Sequence, residues 1–288
     1  KLFVEGPLLG NGKSSFVFSG KTSYLDKSSE ILYKEPILYF DDKGLPYSYT
    51  DLYGKFSLHG NNGSKINVFG FNFQDKVDYE GISELNWTSQ GIGSEFILIP
   101  GNSPVLIEGN FAYSSYDISL DEEASPLRES GIDGFNMGFD FTYFQPKGKI
   151  KYGFDIHGFS TDFTTYNSVN SKIEQKENTS EFSAYINYQF NTTRFIIEPG
   201  FRLQKYTLGV SPEPRLGMKY IASDRLRFKV SSGYYSQNIL STTSDRDVVN
   251  LFSGIISSPE EIPDQADGNP YKNKFQKARH LIAGVEYD

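Results

Sequence analysis

Apolar and polar residues alternate with a period of two over long stretches of the chain, and helical periodicity is almost absent. From Glu181 to Phe190, the residues Phe182, Ala184, Ile186, Tyr188 and Phe190 share one face. Glu181, Ser183, Asn187 and Gln189 share the other, joined only by Tyr185. Leu226, Phe228, Val230 and Tyr234 oppose Arg225, Arg227, Lys229 and Gln237 in the same way. Tyr152, Phe154 and Ile156 oppose Lys151, Asp155 and His157, while Phe135, Met137, Phe139, Phe141 and Tyr143 oppose Asn136, Asp140 and Thr142.

This pattern predicts about twelve strands, at 15–25, 51–59, 64–74, 84–99, 104–119, 133–145, 149–163, 180–190, 194–206, 214–222, 225–237 and 280–287. Most exceed the usual strand of about 5–6 residues and match the 9–11 that a tilted membrane strand needs. Tight turns are expected at 59–63, 100–103, 146–148, 191–193 and 223–224. Longer loops are expected at 26–50, 75–83, 120–132, 164–179, 207–213 and 238–279. Alternating short and long connections belong to outer-membrane barrels, with short turns on the periplasmic side. The apolar face switches within 64–74, from Ile66 and Val68 to Phe69, Phe71 and Phe73, and again near Gly91-Ile92-Gly93. Both switches predict β-bulges.

Composition sharpens this reading. Of 288 residues only 38% are hydrophobic, yet 16% are aromatic, with 24 Phe and 20 Tyr against one Trp. Few apolar residues but many rings suit a thin apolar skin with aromatic girdles around a polar interior. The fold class expected is therefore all-β, an antiparallel transmembrane β-barrel, with residues 1–288 forming one partial barrel domain. A net charge of −8 argues against a nucleic-acid partner. The absence of Cys removes disulfides and thiol chemistry. No apolar run reaches the length of a transmembrane helix. The first residues carry no signal-peptide pattern, and the true N-terminus is expected to lie upstream.

No set of residues points to catalysis or to a cofactor. Gly6 to Ser14 fails the spacing of a phosphate-binding loop and precedes a strand. His59, His157 and His280 form no metal-binding pair and read as turn or interior residues. The outer-membrane phospholipase signature is missing, since Gly60, Gly158 and Leu281 follow the three histidines. The oxygen-rich 259–270 loop, with Glu260, Glu261, Asp264 and Asp267, is a solvated acidic loop by default and a calcium candidate by composition. The feature that stands out is a charged row: Arg194, Glu198, Arg202, Arg215, Lys219, Arg225, Arg227 and Lys229 are expected to point into the lumen, because charges facing lipid are costly. Such a row either solvates the wall or contacts a ligand or plug.

Three stretches resemble the barrel of TonB-dependent transporters, in the manner of Bacteroidota: Ser14 to Asp26 (SSFVFSGKTSYLD), Glu213 to Tyr220 (EPRLGMKY) and Gly233 to Gln237 (GYYSQ). Lys21 stands where the resemblance favours Arg. The resemblance implies a 22-stranded barrel of Gram-negative outer membranes, with a plug domain ahead of it. The implied partners are membrane lipid, the TonB complex acting through the plug, a scarce nutrient (iron chelate, cofactor, oligosaccharide or peptide) and a surface lipoprotein. The longest loops, at 26–50, 164–179 and 238–279, are the expected contact regions. Two other readings stay open. A complete twelve-stranded passive porin requires its first and last strands to pair. A soluble β-rich surface binding protein requires a second layer over the apolar faces.

Overall fold

The structure is a computed structural model and describes all residues except 9, 11, 26–27, 30–44, 80, 102, 124, 168, 208, 244–252, 258–267 and 269–274. All of the 259–270 loop except Gly268, and most of the predicted 26–50 loop, lie outside the described residues.

Fifteen strands run in chain order: β1 (Leu2–Pro7), β2 (Ser14–Thr22), β3 (Tyr47–His59), β4 (Lys65–Tyr79), β5 (Ser83–Leu98), β6 (Val105–Glu122), β7 (Ser125–Gln145), β8 (Gly148–Tyr166), β9 (Lys172–Asn191), β10 (Phe195–Tyr206), β11 (Gly209–Ile221), β12 (Leu226–Gln237), β13 (Ile239–Thr243), β14 (Ser253–Ser257) and β15 (Gln276–Tyr287). Thirteen form one antiparallel meander in sequence order, from β1 to β12 and then β15. Strands β13 and β14 make a separate hairpin. Among the described residues β1 and β15 each pair on one side only, so the sheet is open. The closure that a twelve-stranded porin demands is therefore absent from it.

The pairing register fixes which residues share a face. One face carries an apolar band: Phe16 and Phe18, Phe56 and Leu58, Ile66 and Val68, Phe96 and Leu98, Phe135 to Tyr143, Phe182 to Phe190, and Phe201 with Leu203. Many of these side chains are exposed. Band rings pack along it, Phe139 on Phe154 at 5.4 Å, Phe141 on Tyr152 at 5.3 Å and Phe195 on Tyr220 at 4.9 Å. We call this the outer face. Facing glycines make room for its rings: a Cβ on Gly109 would lie 2.4 Å from Phe96, and one on Gly158 2.5 Å from Phe135.

Two expectations are corrected. The switches in β4 and β5 are not bulges, because both strands pair in continuous register from end to end. Phe69, Phe71 and Phe73 simply point to the inner face, the first two lying across from Gly93 and Gly91. What inverts is the surroundings. Near the tight-turn rim the outer residues are apolar, as Ile66, Phe96 and Phe111 are. Beyond the band the outer residues are polar, as Lys76, Glu84, Asn86 and Asp117 are. There the apolar residues turn inward, and Val77, Leu85, Ile118 and Leu120 form a buried core flanked by Tyr79, Trp87, Tyr116 and Phe163.

The second correction concerns loops. The predicted long connections at 75–83, 120–132, 164–179 and 207–213 are mostly strand, with β6 to β9 reaching 18, 21, 19 and 20 residues. The asymmetry is real, but strands that project past the band carry it. The one register shift in these pairings lies between Leu120 and Glu122, in that projecting part.

Candidate functional site

The inner face is the wall on which chemistry can act, and its two halves differ. On β4 to β8 it carries rings and aliphatics, among them Phe71, Phe73, Trp87, Tyr116, Ile132 and Phe159, together with polar residues such as Asn67, Asp140 and Lys151. On β9 to β12 and β15 it is polar and charged, with Arg202, Arg215, Lys219, Arg227 and Lys229 interleaved with Glu177, Glu181, Glu198, Glu213 and Glu286. The β13–β14 hairpin lies against β7, β8 and β9, and its Ile255 N–H donates to the inner-face Ser130 Oγ at 3.0 Å. The described part of the segment between β12 and β15 thus lies against the inner face.

Register places six of the eight charged candidates on the inner face: Glu198 and Arg202 on β10, Arg215 and Lys219 on β11, Arg227 and Lys229 on β12. Arg194 and Arg225 are corrected. Each sits in a tight turn one residue before its strand, exposed, where strand parity no longer governs direction. Their backbone carbonyls accept the N–H groups of Ile221 and Asp288.

Sequence parity did not reveal the acids that organise these cations. Glu286 on β15 receives Lys219 at 3.5 Å, Arg227 at 2.9 Å and Lys229. Glu213 is almost fully buried where β12 peels away from β11. Its carboxylate accepts the Ser236 N–H at 2.9 Å, the Ser236 hydroxyl at 2.6 Å and an Arg215 N–H at 2.8 Å. It therefore replaces the lost backbone pairing of that stretch. Deeper in the wall Lys151 pairs with Asp140 at 2.8 Å, the Tyr185 hydroxyl donates to Asp140, and the Ser183 hydroxyl donates to Asp155 at 3.2 Å. These bonds satisfy polar side chains that face an interior instead of lipid.

His157 stacks on Phe159 and His280 on Tyr235, with ring centroids 6.0 Å and 4.9 Å apart, so both are interior residues as their parity implied. His59 ends β3 beside the first tight turn. Among the described residues no group of acids and histidines is arranged to hold a metal ion. On the outer side of the projecting strands, Glu84 accepts Asn86 Nδ2 at 2.6 Å and Lys76 Nζ at 2.9 Å. The Asn86 bond first, then the lysine, holds the Glu84 carboxyl below its ordinary range.

An apolar outer band, a hydrogen-bonded polar inner face and strands overrunning the band at one rim define the wall of a transmembrane antiparallel β-barrel. Solved structures with this architecture are TonB-dependent outer-membrane receptors. The siderophore receptor PirA from Pseudomonas aeruginosa matches 99% of this chain with 48% of its own, at TM-score 0.66 and 11% identity. The FrpB iron transporter from Neisseria meningitidis matches 96% with 48% of its own, at 0.64 and 14%. The ferric enterobactin receptor PfeA from Pseudomonas aeruginosa matches 99% with 47% of its own, at 0.62 and 10%. The chain thus spans about half the length of the structures it matches. No family model and no curated protein matches its sequence.

Proposed function

We infer that this chain is barrel wall of an outer-membrane, TonB-dependent transporter that imports a scarce nutrient such as an iron chelate, a cofactor, an oligosaccharide or a peptide. The observation that carries the reading is the open 13-stranded meander, which along nearly its whole length follows about half of each receptor chain. Its outer band meets lipid in the Gram-negative outer membrane. Its inner wall encloses an aqueous passage in which a plug, pulled by the TonB complex, gates transit. Arg202, Arg215, Lys219, Arg227, Lys229 and Glu198 line that passage, and Arg194 and Arg225 mark its periplasmic turns. The protein carries cargo and transforms none, so its chemistry is recognition and gating.

The test is genetic and uses the protein as the cell makes it. Deletion of the gene is expected to abolish growth on at least one limiting nutrient in a panel of ferric chelates, corrinoids, oligosaccharides and peptides. Complementation restores growth only while TonB is active, and the protein fractionates with outer membranes. Uptake that survives loss of TonB would instead establish a passive pore. Extraction without detergent would establish a soluble binding protein.

A further inference from the structure

We propose that the inner wall of β8 to β12 carries a site for an anionic group on the passing ligand, with Arg202 and Arg215 as its donors. The adjoining ring wall takes the ligand's planar or apolar part. The proposal rests on the transport reading above and specifies the chemistry of the cargo.

Two cavities on the inner face adjoin. One of about 280 Å³ is lined by Glu181, Arg202, Gln204, Glu213, Arg215 and Tyr235, among others. The second, of about 250 Å³, includes Phe71, Tyr116 and Ile132. His157 and Phe159, stacked within 6° of parallel, line both. The two cavities thus share an aromatic wall, with charged residues on one side of it and Phe71, Tyr116 and Ile132 on the other.

In the polar cavity the acids are engaged, whereas the guanidinium groups use only part of their donor capacity. Glu213 is bound by Ser236 and Arg215, as described, and Glu181 accepts Gln204 Nε2 at 3.1 Å. Each guanidinium presents five N–H donors in a planar fork. Arg202 gives one to Gln204 at 3.1 Å and stands 3.6 Å from Asp155, past ordinary N–H···O range. Arg215 gives one to Glu213, packs over the Tyr235 ring at 4.7 Å, and keeps a buried Nε with no partner. Buried donors of this kind favour a ligand that brings acceptor oxygens.

Charged residues continue along the wall. Below Arg215 on β11 comes Lys219, directly opposite Lys229 on β12, with Arg227 two residues on. Like charges facing each other across strands destabilise a sheet. Here Glu286 and the end residue Asp288 answer three cations.

The test uses 2-naphthoate and its uncharged analogue 2-naphthamide as probes. Binding to the full-length protein in lipid nanodiscs is followed by saturation-transfer NMR at low salt. The acid is expected to bind about tenfold more tightly than the amide. R202Q and R215Q should each weaken the acid by about fivefold or more and leave the amide unchanged, as loss of a charged donor predicts. F159A should weaken both probes. K176Q, on the outer face, should change neither, and heat-shifted gel mobility confirms that each variant is folded. Equal affinity for acid and amide, or acid binding indifferent to both arginine variants, overturns the proposal. Acid-selective binding in a protein whose uptake ignores TonB would sink the transport reading and leave the site. TonB-dependent uptake without acid preference would sink the site alone.

Discussion

Replacing Phe139 by arginine probes the central physical claim, that parity along β7 separates lipid from interior. Phe139 sits mid-row between Phe135 and Tyr143 on the outer face, with the rings of Phe96 at 6.0 Å and Phe154 at 5.4 Å. An arginine at the bilayer midplane of a barrel costs about 2–4 kcal/mol. Two lost ring contacts add about 0.5–1.5 kcal/mol each. The expected destabilisation is therefore about 3 kcal/mol or more, the lower end applying if the long side chain bends toward the headgroups. Gln189→Arg is the matched control, since Gln189 points to the inner face of β9 and bonds only Asn191 there. Its cost should stay within about 0.5 kcal/mol. Denaturant titration of the full-length protein in phospholipid vesicles, read by tryptophan fluorescence and heat-modifiable gel mobility, measures both. Equal costs for the two variants, or a Phe139 cost under about 1 kcal/mol, would refute the assignment of faces on which everything else rests.

Other perturbations test separate parts of the structure. A Cβ at Gly148 would lie 1.9 Å from the Gln189 carbonyl, and one at Gly134 2.2 Å from that of Gly158. Gly148→Ala and Gly134→Ala must move backbone and should each cost about 1–3 kcal/mol in the same titration. Gly54→Ala meets nothing within 4 Å and should be neutral or slightly stabilising. Glu286→Gln should destabilise the wall by leaving Lys219 and Lys229 unbalanced and Arg227 with Asp288 alone. The loss should shrink in high salt and be partly recovered by adding Lys229→Gln, and a double-mutant cycle that shows no such coupling would remove Glu286 from the network. Glu84 gives a pH test of known sign. Its folded-state carboxyl titrates below its ordinary range, so its contribution is present above that range and lost as pH falls through the lowered value. Glu84→Gln should thus be less stable than the parent at neutral pH, by under about 1 kcal/mol for so exposed a group, and indistinguishable from it in strong acid.

Within the membrane band the sequence was nearly transparent. There one side of each strand meets lipid and the other meets a polar interior, so alternation such as Phe182-Ser183-Ala184 follows from solvent alone. The same logic placed Arg202, Arg215, Lys219, Arg227 and Lys229 on one face before any pairing was known. It failed where the surroundings changed. Past the band the outside becomes water and the inside becomes packed, so Phe71 and Leu85 invert the pattern with no break in the strand. That inversion resembles a bulge in one dimension, and the projecting halves of β6 to β9 resemble loops. Arg194 and Arg225 were misplaced for a related reason, since a turn releases a residue from strand parity.

The amino-acid order by itself determined that this chain is a long-stranded barrel wall with an apolar outside and a charged inside, because period-two patterning needs only the local geometry of a strand. Only the tertiary structure decided that among the described residues the sheet is open, that the β13–β14 hairpin folds back onto β7 to β9, that Glu286 anchors cations far away in sequence, and that Glu213 reaches Ser236. Those outcomes depend on register and on which strands lie side by side. Alternation along a single strand is blind to both, because it records which face a residue takes and not the neighbour it meets there.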